Sequence, residues 1–224
     1  MIADAELANV DAYDRWAPSY PPHPHNPLMQ AEQQAVLELW PEVAGLRALD
    51  LACGTGRYAR LLQQRGAAIV VGADASAGML MQAGIERRVR ADMMRLPFAA
   101  DAFDFVVAGL AVGHAPDLQG WMHEVARVLA PGGCLVFSDF HPQAARAGMT
   151  RSFTDGEQRQ HHLAHRLYDL AEHRAAAGRA GLVLEAGREL RVGLEFRESF
   201  AGSDDFHRRW HGLPLLLAAR ARKP

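Results

Sequence analysis

Three aspartates stand at the ends of three short apolar segments whose spacing is typical of strands: Asp50, Asp74 and Asp92. Such carboxylates accept hydrogen bonds from vicinal hydroxyl and amino groups, and they attract cations. Because the carboxyl ends of parallel strands meet at one edge of a sheet, these side chains are expected to line one crevice. That crevice suits a positively charged nucleoside better than a phosphate. The alternative is that each aspartate only caps the turn or helix that follows it.

A glycine turn follows the first of these strands, within the sequence LDLACGTGRY over residues 49–58. Gly54 and Gly56 allow φ values that side chains forbid and let the backbone approach a ligand. The next helix points its free N–H groups toward the same place. Ala59 occupies the last position of the dinucleotide-binding pattern G-x-G-x-x-G/A, which allows alanine there. The turn alone is therefore also compatible with a nicotinamide cofactor. Asp50 disfavours that cofactor because its charge would repel a pyrophosphate.

Strand-like and helix-like segments alternate through the middle of the chain, which predicts βαβ units and a parallel sheet. The expected strands are 46–52, 67–73, 87–91, 103–110, 134–138, 182–192 and 213–221. The expected helices are 5–16, 28–39, 57–65, 76–83, 118–129 and 158–177. We expect one domain over 1–224, divided into a helical lid (1–40), a cofactor-binding core (41–140), a helical insertion on the substrate side (141–180) and C-terminal strands (181–224).

Composition excludes several classes of protein. The chain has 224 residues, 49% of them hydrophobic, and a formal net charge of −2, so bulk charge does not favour a nucleic-acid partner. The two cysteines, Cys53 and Cys134, lie far apart and indicate neither a disulfide framework nor a zinc site. The first ten residues carry acids and no basic segment, and no apolar run approaches the roughly 18 residues needed to span a bilayer. We therefore expect a cytoplasmic protein that contacts no membrane.

Four motifs in succession resemble the class I S-adenosylmethionine-dependent methyltransferases, and most of all the branch that methylates small molecules and quinones. They are LDLACGTGRY, VVGADASAGML, RADMMRLPFAADAFDFVVAG and HEVARVLAPGGCLVFSDF. The resemblance covers residues 13–140. It implies an α/β, Rossmann-like fold with a seven-stranded, mostly parallel sheet and helices on both faces. It also implies an antiparallel last strand, an N-terminal helical lid and an insertion after strand 5.

The resemblance further implies S-adenosylmethionine as the cofactor and assigns residues to each part of it. The methionine part is expected to contact Asp50, Ala52, Gly54 and Gly56. Asp74 is expected to hold the ribose, while the adenine lies among Ala75, Met79, Asp92 and Met93. Below the sulfonium we expect Gly109 and Leu110, and over the cofactor the lid aromatics Tyr13 and Tyr20.

Two histidines are candidate bases for an acceptor that is not already acidic, since histidine titrates near neutral pH. His114 follows strand 4 at the edge where acceptor and cofactor should meet, and His141 follows strand 5. The alternative for His114 is a histidine that only hydrogen-bonds the loop or the cofactor. No metal is expected: His161 and His165 are spaced as in H-E-x-x-H, but the glutamate of that motif is absent.

The sequence thus predicts methyl transfer to a small-molecule acceptor, on oxygen, nitrogen or carbon. One alternative is a carrier-protein-dependent O-methyltransferase of the malonyl-carrier-protein type. The insertion has a basic bias that could recognise an acidic acceptor or an acidic acyl carrier protein, or could only be a solvated face: Arg146, Arg151, Arg159, Arg166 and Arg174. A second is a non-catalytic S-adenosylmethionine-binding protein on the same scaffold. A nicotinamide oxidoreductase is disfavoured by Asp50 and by the absence of a Tyr-x-x-x-Lys arrangement, since the only lysine is Lys223.

Overall fold

A seven-stranded sheet forms the centre of the computed structural model, which describes residues 9–155, 159–193 and 203–224. Its strands are β1 (Arg47–Leu51), β2 (Ile69–Asp74), β3 (Arg88–Arg90), β4 (Phe103–Ala108), β5 (Leu129–Phe140), β8 (Val183–Arg191) and β9 (Pro214–Arg222). They lie in the order β3-β2-β1-β4-β5-β9-β8, and β9 runs antiparallel to both of its neighbours. The expected mostly parallel sheet with an antiparallel last strand is confirmed.

Helices cover both faces of this sheet, because β4 is apolar on both sides. Phe105 and Val107 pack with one buried cluster, whereas Val106 packs with the other. The described helices are α1 (Asn9–Trp16), α2 (Pro27–Glu38), α3 (Arg57–Gln64), α4 (Ala77–Gln82), α5 (Leu118–Val128), α6 (Pro142–Arg146), α7 (Leu170–Arg179) and α8 (Ser203–Trp210). Residues of α2, α3 and α4 join the first cluster, and those of α5 and α7 join the second.

The expected helix over 158–177 is wrong for most of its length. Two short strands, β6 (Ser152–Thr154) and β7 (Gln160–His162), form an antiparallel pair instead, and α7 begins only at Leu170. Asp169 and Glu172 form a capping box that starts the helix there. The strand pair is favoured because Phe153 is buried and its ring stacks on Trp16 at 4.6 Å. The insertion is therefore only partly helical.

Three further segments differ from expectation or fall outside the description. β5 begins at Leu129 rather than near Cys134, because residues 130–133 form an irregularity between two paired segments of the strand. Helix α8 is not among the helices that the sequence pattern predicts. The expected helices 5–16 and 158–177 cannot be compared at residues 5–8 and 158, since those residues lie outside the described part of the chain.

Candidate active site

A cavity opens where the strand order reverses, between the carboxyl ends of β1 and β4. The chain runs from β1 outward to β2 and β3, then crosses to β4, which creates a crevice of the kind that α/β sheets use for ligands. Its volume is about 630 Å³, within the range of ligand sites. Its lining includes these expected residues: Tyr13, Tyr20, Asp50, Ala52, Gly54, Asp74, Ala75, Met79, Asp92, Met93, Gly109, Leu110 and His114.

The three strand-end aspartates both cap turns and line this cavity. Asp74 accepts hydrogen bonds from the Gly54 N–H at 2.7 Å and the Ser76 N–H at 2.9 Å. Asp50 is buried and accepts one from the Ala59 N–H at 2.8 Å, whereas Asp92 is exposed. Burial raises the pKa of Asp50 to about 7 and also raises the pKa of Asp74. A cation placed beside them would favour their ionised forms.

The backbone at the ends of β1 and β4 adopts conformations that non-glycine residues rarely take. Ala52 has a φ of 55° and Leu110 a φ of 54°, and both residues line the cavity. Such strain concentrates at ligand sites, where the surrounding structure enforces it. Gly56, with a φ of 80°, is the N-cap of α3 and does not line the cavity. It shapes the turn, and the structure does not bring it to the expected methionine site.

A buried carboxylate that sequence analysis missed supports the floor of the cavity. Glu32 on α2 pairs with the Arg57 guanidinium at 2.6 Å and accepts a hydrogen bond from the Tyr58 hydroxyl at 2.7 Å. It also accepts one from Ser138 on β5. A Cβ on Gly109 would lie 2.3 Å from Tyr58 Cε2, so only glycine fits against that ring. The sequence feature that could have indicated this buried carboxylate is the position of Glu32 on the otherwise apolar face of α2.

His114 lies in a network that joins the lid, the β4 loop and the insertion. Its Nε2 atom is 3.0 Å from the Tyr13 hydroxyl and 2.9 Å from Arg151 Nη1, which also donates to the Leu110 carbonyl at 2.7 Å. Because arginine only donates, Nε2 accepts that bond, while Nδ1 lies 3.2 Å from the carbonyl of Ala164 and 3.0 Å from the side-chain Nδ2 of Asn9. Arg151 is one of the insertion arginines for which the sequence leaves an acidic acceptor open, and the structure places it at the cavity.

This environment bears on the expectation that His114 acts as a base. Burial and then the charge of Arg151 lower the pKa of His114 to about 3. A base this weak is poorly matched to proton removal near neutral pH. The contacts instead favour the alternative, in which His114 only forms hydrogen bonds. Through them it holds the Tyr13 and Arg151 side chains in place.

His141 lies outside the cavity. Its Nδ1 atom accepts a hydrogen bond from the Gln143 N–H at 3.1 Å as the N-cap of α6, and its Nε2 atom is 3.2 Å from Glu189. Its position just past β5 agrees with the sequence, but both ring nitrogens are used between α6 and β8. The structure does not bring His141 to the expected site.

The lid helix α1 is anchored to the core by a residue that sequence analysis also missed. Asp14 accepts hydrogen bonds from the Gly78 N–H at 2.8 Å and from the Ser76 hydroxyl. Ser76 in turn donates its backbone N–H to Asp74. The lid is therefore tied to the same short segment that holds the expected ribose ligand.

Metal ligands, membrane-spanning helices and cysteine thiols can be assessed within residues 9–155, 159–193 and 203–224. Within those ranges, no group of three or more histidine, cysteine, aspartate or glutamate side chains could hold a metal. His161 and His165 do not share a helix face, since His161 lies on β7 and contacts Asp155 at 2.8 Å. In the same ranges, no helix is long and apolar enough to cross a bilayer. Cys53 and Cys134 are buried free thiols.

Comparison with known proteins identifies the core. Residues 49–137 match the family model described as a methyltransferase domain. A malonyl-[acyl-carrier protein] O-methyltransferase of Enterobacter lignolyticus is 35% identical over 57% of this chain and 51% of its own length. A demethylmenaquinone methyltransferase of Thermus thermophilus is 40% identical over 49% of this chain and 54% of its own length. The chain thus spans about half the length of the curated relatives it matches.

Solved structures extend the likeness to most of the described fold. An S-adenosylmethionine-dependent methyltransferase from Mesorhizobium loti superimposes with a TM-score of 0.69 at 27% identity. The match covers 86% of this chain and 97% of that one. The match therefore extends beyond residues 49–137 on both sides.

Proposed function

We propose that this chain is an S-adenosylmethionine-dependent methyltransferase that transfers the methyl group of its cofactor to a small-molecule acceptor. The match of residues 49–137 to a methyltransferase domain and the likeness to a solved methyltransferase support this proposal. The observation that carries this proposal is the grouping of Asp50, Asp74 and Asp92 around one cavity of nucleoside size. Bare backbone at Gly54 borders the same cavity, and a Cβ built there meets no atom within 4 Å. These features suit a ligand that is both a nucleoside and a cation.

The residues present fit the cofactor part by part. Asp74 can accept hydrogen bonds from both ribose hydroxyls, as a strand-end acid does in dinucleotide folds. Asp50, buried and without an ion-pair partner among the described residues, suits the cationic amine and sulfonium. When bound, S-adenosylmethionine supplies an electrophilic methyl group. The protein's contribution is then to align the acceptor with that methyl group and to exclude water.

The lid and the β4 loop are the elements we propose for that alignment. Tyr13 and Tyr20 line the cavity from the lid side, and Gly109 and Leu110 line it from the sheet side. His114 is proposed as a positioning residue that fixes Tyr13 through its Nε2 atom. We assign the neighbouring Arg151 a role at the acceptor, which is argued below. His141 receives no part in transfer, because it lies between α6 and β8.

An acyl carrier protein is a second candidate source of the acceptor, since one relative acts on a malonyl carrier protein. Two of the insertion arginines that could recognise such a partner are engaged within the chain: Arg159 pairs with Asp155, and Arg174 donates to the Leu184 carbonyl. A free small molecule is therefore the preferred acceptor. A carrier-bound one would require binding that weakens steeply with salt. We place the enzyme in the cytoplasm, on the support of its two unpaired thiols.

Calorimetry of three ligands tests this proposal on the wild-type protein. We expect S-adenosylmethionine and S-adenosylhomocysteine to bind with micromolar dissociation constants, and NAD to bind at least about a hundredfold more weakly, because its pyrophosphate meets Asp50. A preference for NAD would overturn the cofactor assignment. Binding of S-adenosylmethionine without release of S-adenosylhomocysteine on any acceptor in a broad panel would favour the non-catalytic alternative.

The pH dependence of cofactor binding tests the role of Asp50. In the free protein Asp50 has a pKa of about 7, and a cation beside it lowers that pKa, so binding should release a proton. The affinity for S-adenosylmethionine should rise with pH up to about 7, by up to about tenfold per unit, and level off above. Calorimetry in buffers of different ionisation enthalpy measures the released proton directly.

Two variants make that pH experiment specific. Asp50→Asn should lose the proton release, because an amide does not titrate. Asp139→Asn is the matched control: burial also raises the pKa of Asp139 to about 7, but Asp139 does not line the cavity. Proton release that persists in Asp50→Asn and disappears in Asp139→Asn would contradict the assignment.

A further inference from the structure

A second cavity lies beside the first and is not needed to hold the cofactor. Its volume is about 450 Å³. The two cavities share three lining residues, Tyr20, Leu110 and Arg151, which therefore form the border between them. Leu110 is also the residue expected beneath the sulfonium. A molecule in the second cavity would thus meet the cofactor at the place where the methyl group is presented.

The wall of this second cavity is rich in large apolar side chains. They come from the lid, from β5, from the insertion and from α8: Trp16, Met29, Phe140, Met149, Phe206 and Trp210. Aromatic side chains favour stacked or edge-on contacts with other rings. The shape and chemistry of this wall therefore suit a flat, mainly apolar molecule.

The charged groups of the second cavity are all of one sign. Arg151 and Arg209 line it, and the lining within the described part of the chain includes no aspartate or glutamate. Arg209 lies over the Trp210 ring at 4.7 Å. Arg151 donates to the Leu110 carbonyl and to His114, neither of which is an anion. The cavity thus offers cationic donors, one of them at its border with the acidic cofactor cavity.

We propose that the second cavity binds a flat, apolar acceptor bearing an anionic oxygen, a phenolate or a carboxylate, and that Arg151 holds this oxygen at the border as the methyl acceptor. The inference rests on the proposed function and names its substrate class. A guanidinium stabilises the ionised oxygen by charge and hydrogen bonding. Arg151 is held in place by its bonds to Leu110 and His114, so it is oriented before the acceptor arrives.

The transfer step balances without a protein base. The acid loses its proton to solvent before the reaction. The oxygen lone pair then forms the O–CH₃ bond while the S–CH₃ bond breaks and its electron pair stays on sulfur. The sulfonium becomes a neutral thioether, and the oxyanion becomes an ether or an ester. This agrees with the lowered pKa values of the two histidines that line the cavities, His114 in the first and His25 in the second, both of which burial makes less basic.

Binding of naphthalene probes to the protein saturated with S-adenosylhomocysteine tests the proposal. The probes are 2-naphthoate, 2-naphthol and the uncharged naphthalene-2-carboxamide, and calorimetry measures each dissociation constant. We expect at least one acidic probe to bind about tenfold or more tightly than the amide, equivalent to about 1.4 kcal/mol. Which acidic probe is preferred, and which is methylated in a separate assay with S-adenosylmethionine, distinguishes a carboxylate from a phenolate acceptor.

Three variants separate charge from apolar contact. Arg151→Gln should abolish the preference for the acidic probe while retaining a donor toward the Leu110 carbonyl, and Arg151→Lys should retain part of it. Trp210→Ala removes an apolar side chain of the cavity wall and should weaken the acidic and neutral probes alike. An acidic preference that is absent in the wild type, or unchanged in Arg151→Gln, overturns this inference. Failure of S-adenosylhomocysteine itself to bind overturns the proposed function instead.

Discussion

Replacing Asp74 with alanine is expected to weaken S-adenosylmethionine binding by about a hundredfold or more. A hydrogen bond to a charged group contributes about 1.5–3 kcal/mol, and the proposed ribose contact comprises two of them. About 2.7 kcal/mol corresponds to a hundredfold change in the dissociation constant. The loss should be larger than the ribose contact alone, because Asp74 also holds the N–H groups of Gly54 and Ser76.

Calorimetry with S-adenosylmethionine measures this effect, and two other variants calibrate it. Asp74→Asn keeps one acceptor oxygen and should fall between the wild type and Asp74→Ala. Asp92→Ala removes an exposed strand-end acid of the same cavity and should cost less than about tenfold. Thermal unfolding of each free variant shows whether the fold is intact. A folded Asp74→Ala protein that binds within about threefold of the wild type would exclude Asp74 as the ribose ligand.

The sheet and the grouping of most expected cofactor-binding residues around one cavity could be predicted from the sequence, because both depend on short-range patterns. Residues 105–108 of β4 are buried, and a strand stretch that is buried on both faces is apolar at each position. The glycine turn after β1 and the aspartate at the end of β2 lie close together because the carboxyl ends of parallel strands meet at one edge of the sheet. Twelve of the thirteen residues expected to contact the cofactor line one cavity, and Gly56 is the exception.

The insertion and the acceptor side could not be predicted, because contacts between distant segments decide them. Residues 160–162 form a strand since Phe153 packs on Trp16 of the lid, a pairing that no local pattern encodes. Arg151 acquires its importance only when the fold brings it to Leu110, forty-one positions earlier in the chain. His141 follows β5 as expected, yet a neighbouring glutamate on β8 determines where its ring lies. Sequence position alone places a residue on a loop without orienting its side chain.

The buried pair of Glu32 and Arg57 underlies the second large prediction. Glu32→Ala is expected to lower the free energy of unfolding by about 3–5 kcal/mol, because it leaves a largely buried guanidinium without its carboxylate. The Tyr58 and Ser138 hydroxyls would lose their acceptor as well. Urea denaturation of the free protein measures the change.

A second glutamate on the same helix provides the matched control. Glu38 is exposed and pairs with Arg188 on β8, so Glu38→Ala should change the free energy of unfolding by no more than about 1 kcal/mol. Combining Glu32→Ala with Arg57→Met should recover part of the loss, since the uncompensated charge is then removed. If Glu32→Ala costs no more than Glu38→Ala, the network does not stabilise the cavity floor. If it costs several kcal/mol and the double variant recovers part of that loss, the Glu32 network holds α2 against α3 and β5. Leu110, at the border between the two cavities, would then owe its position to Ser138, which donates to Glu32 and accepts from the Leu110 N–H.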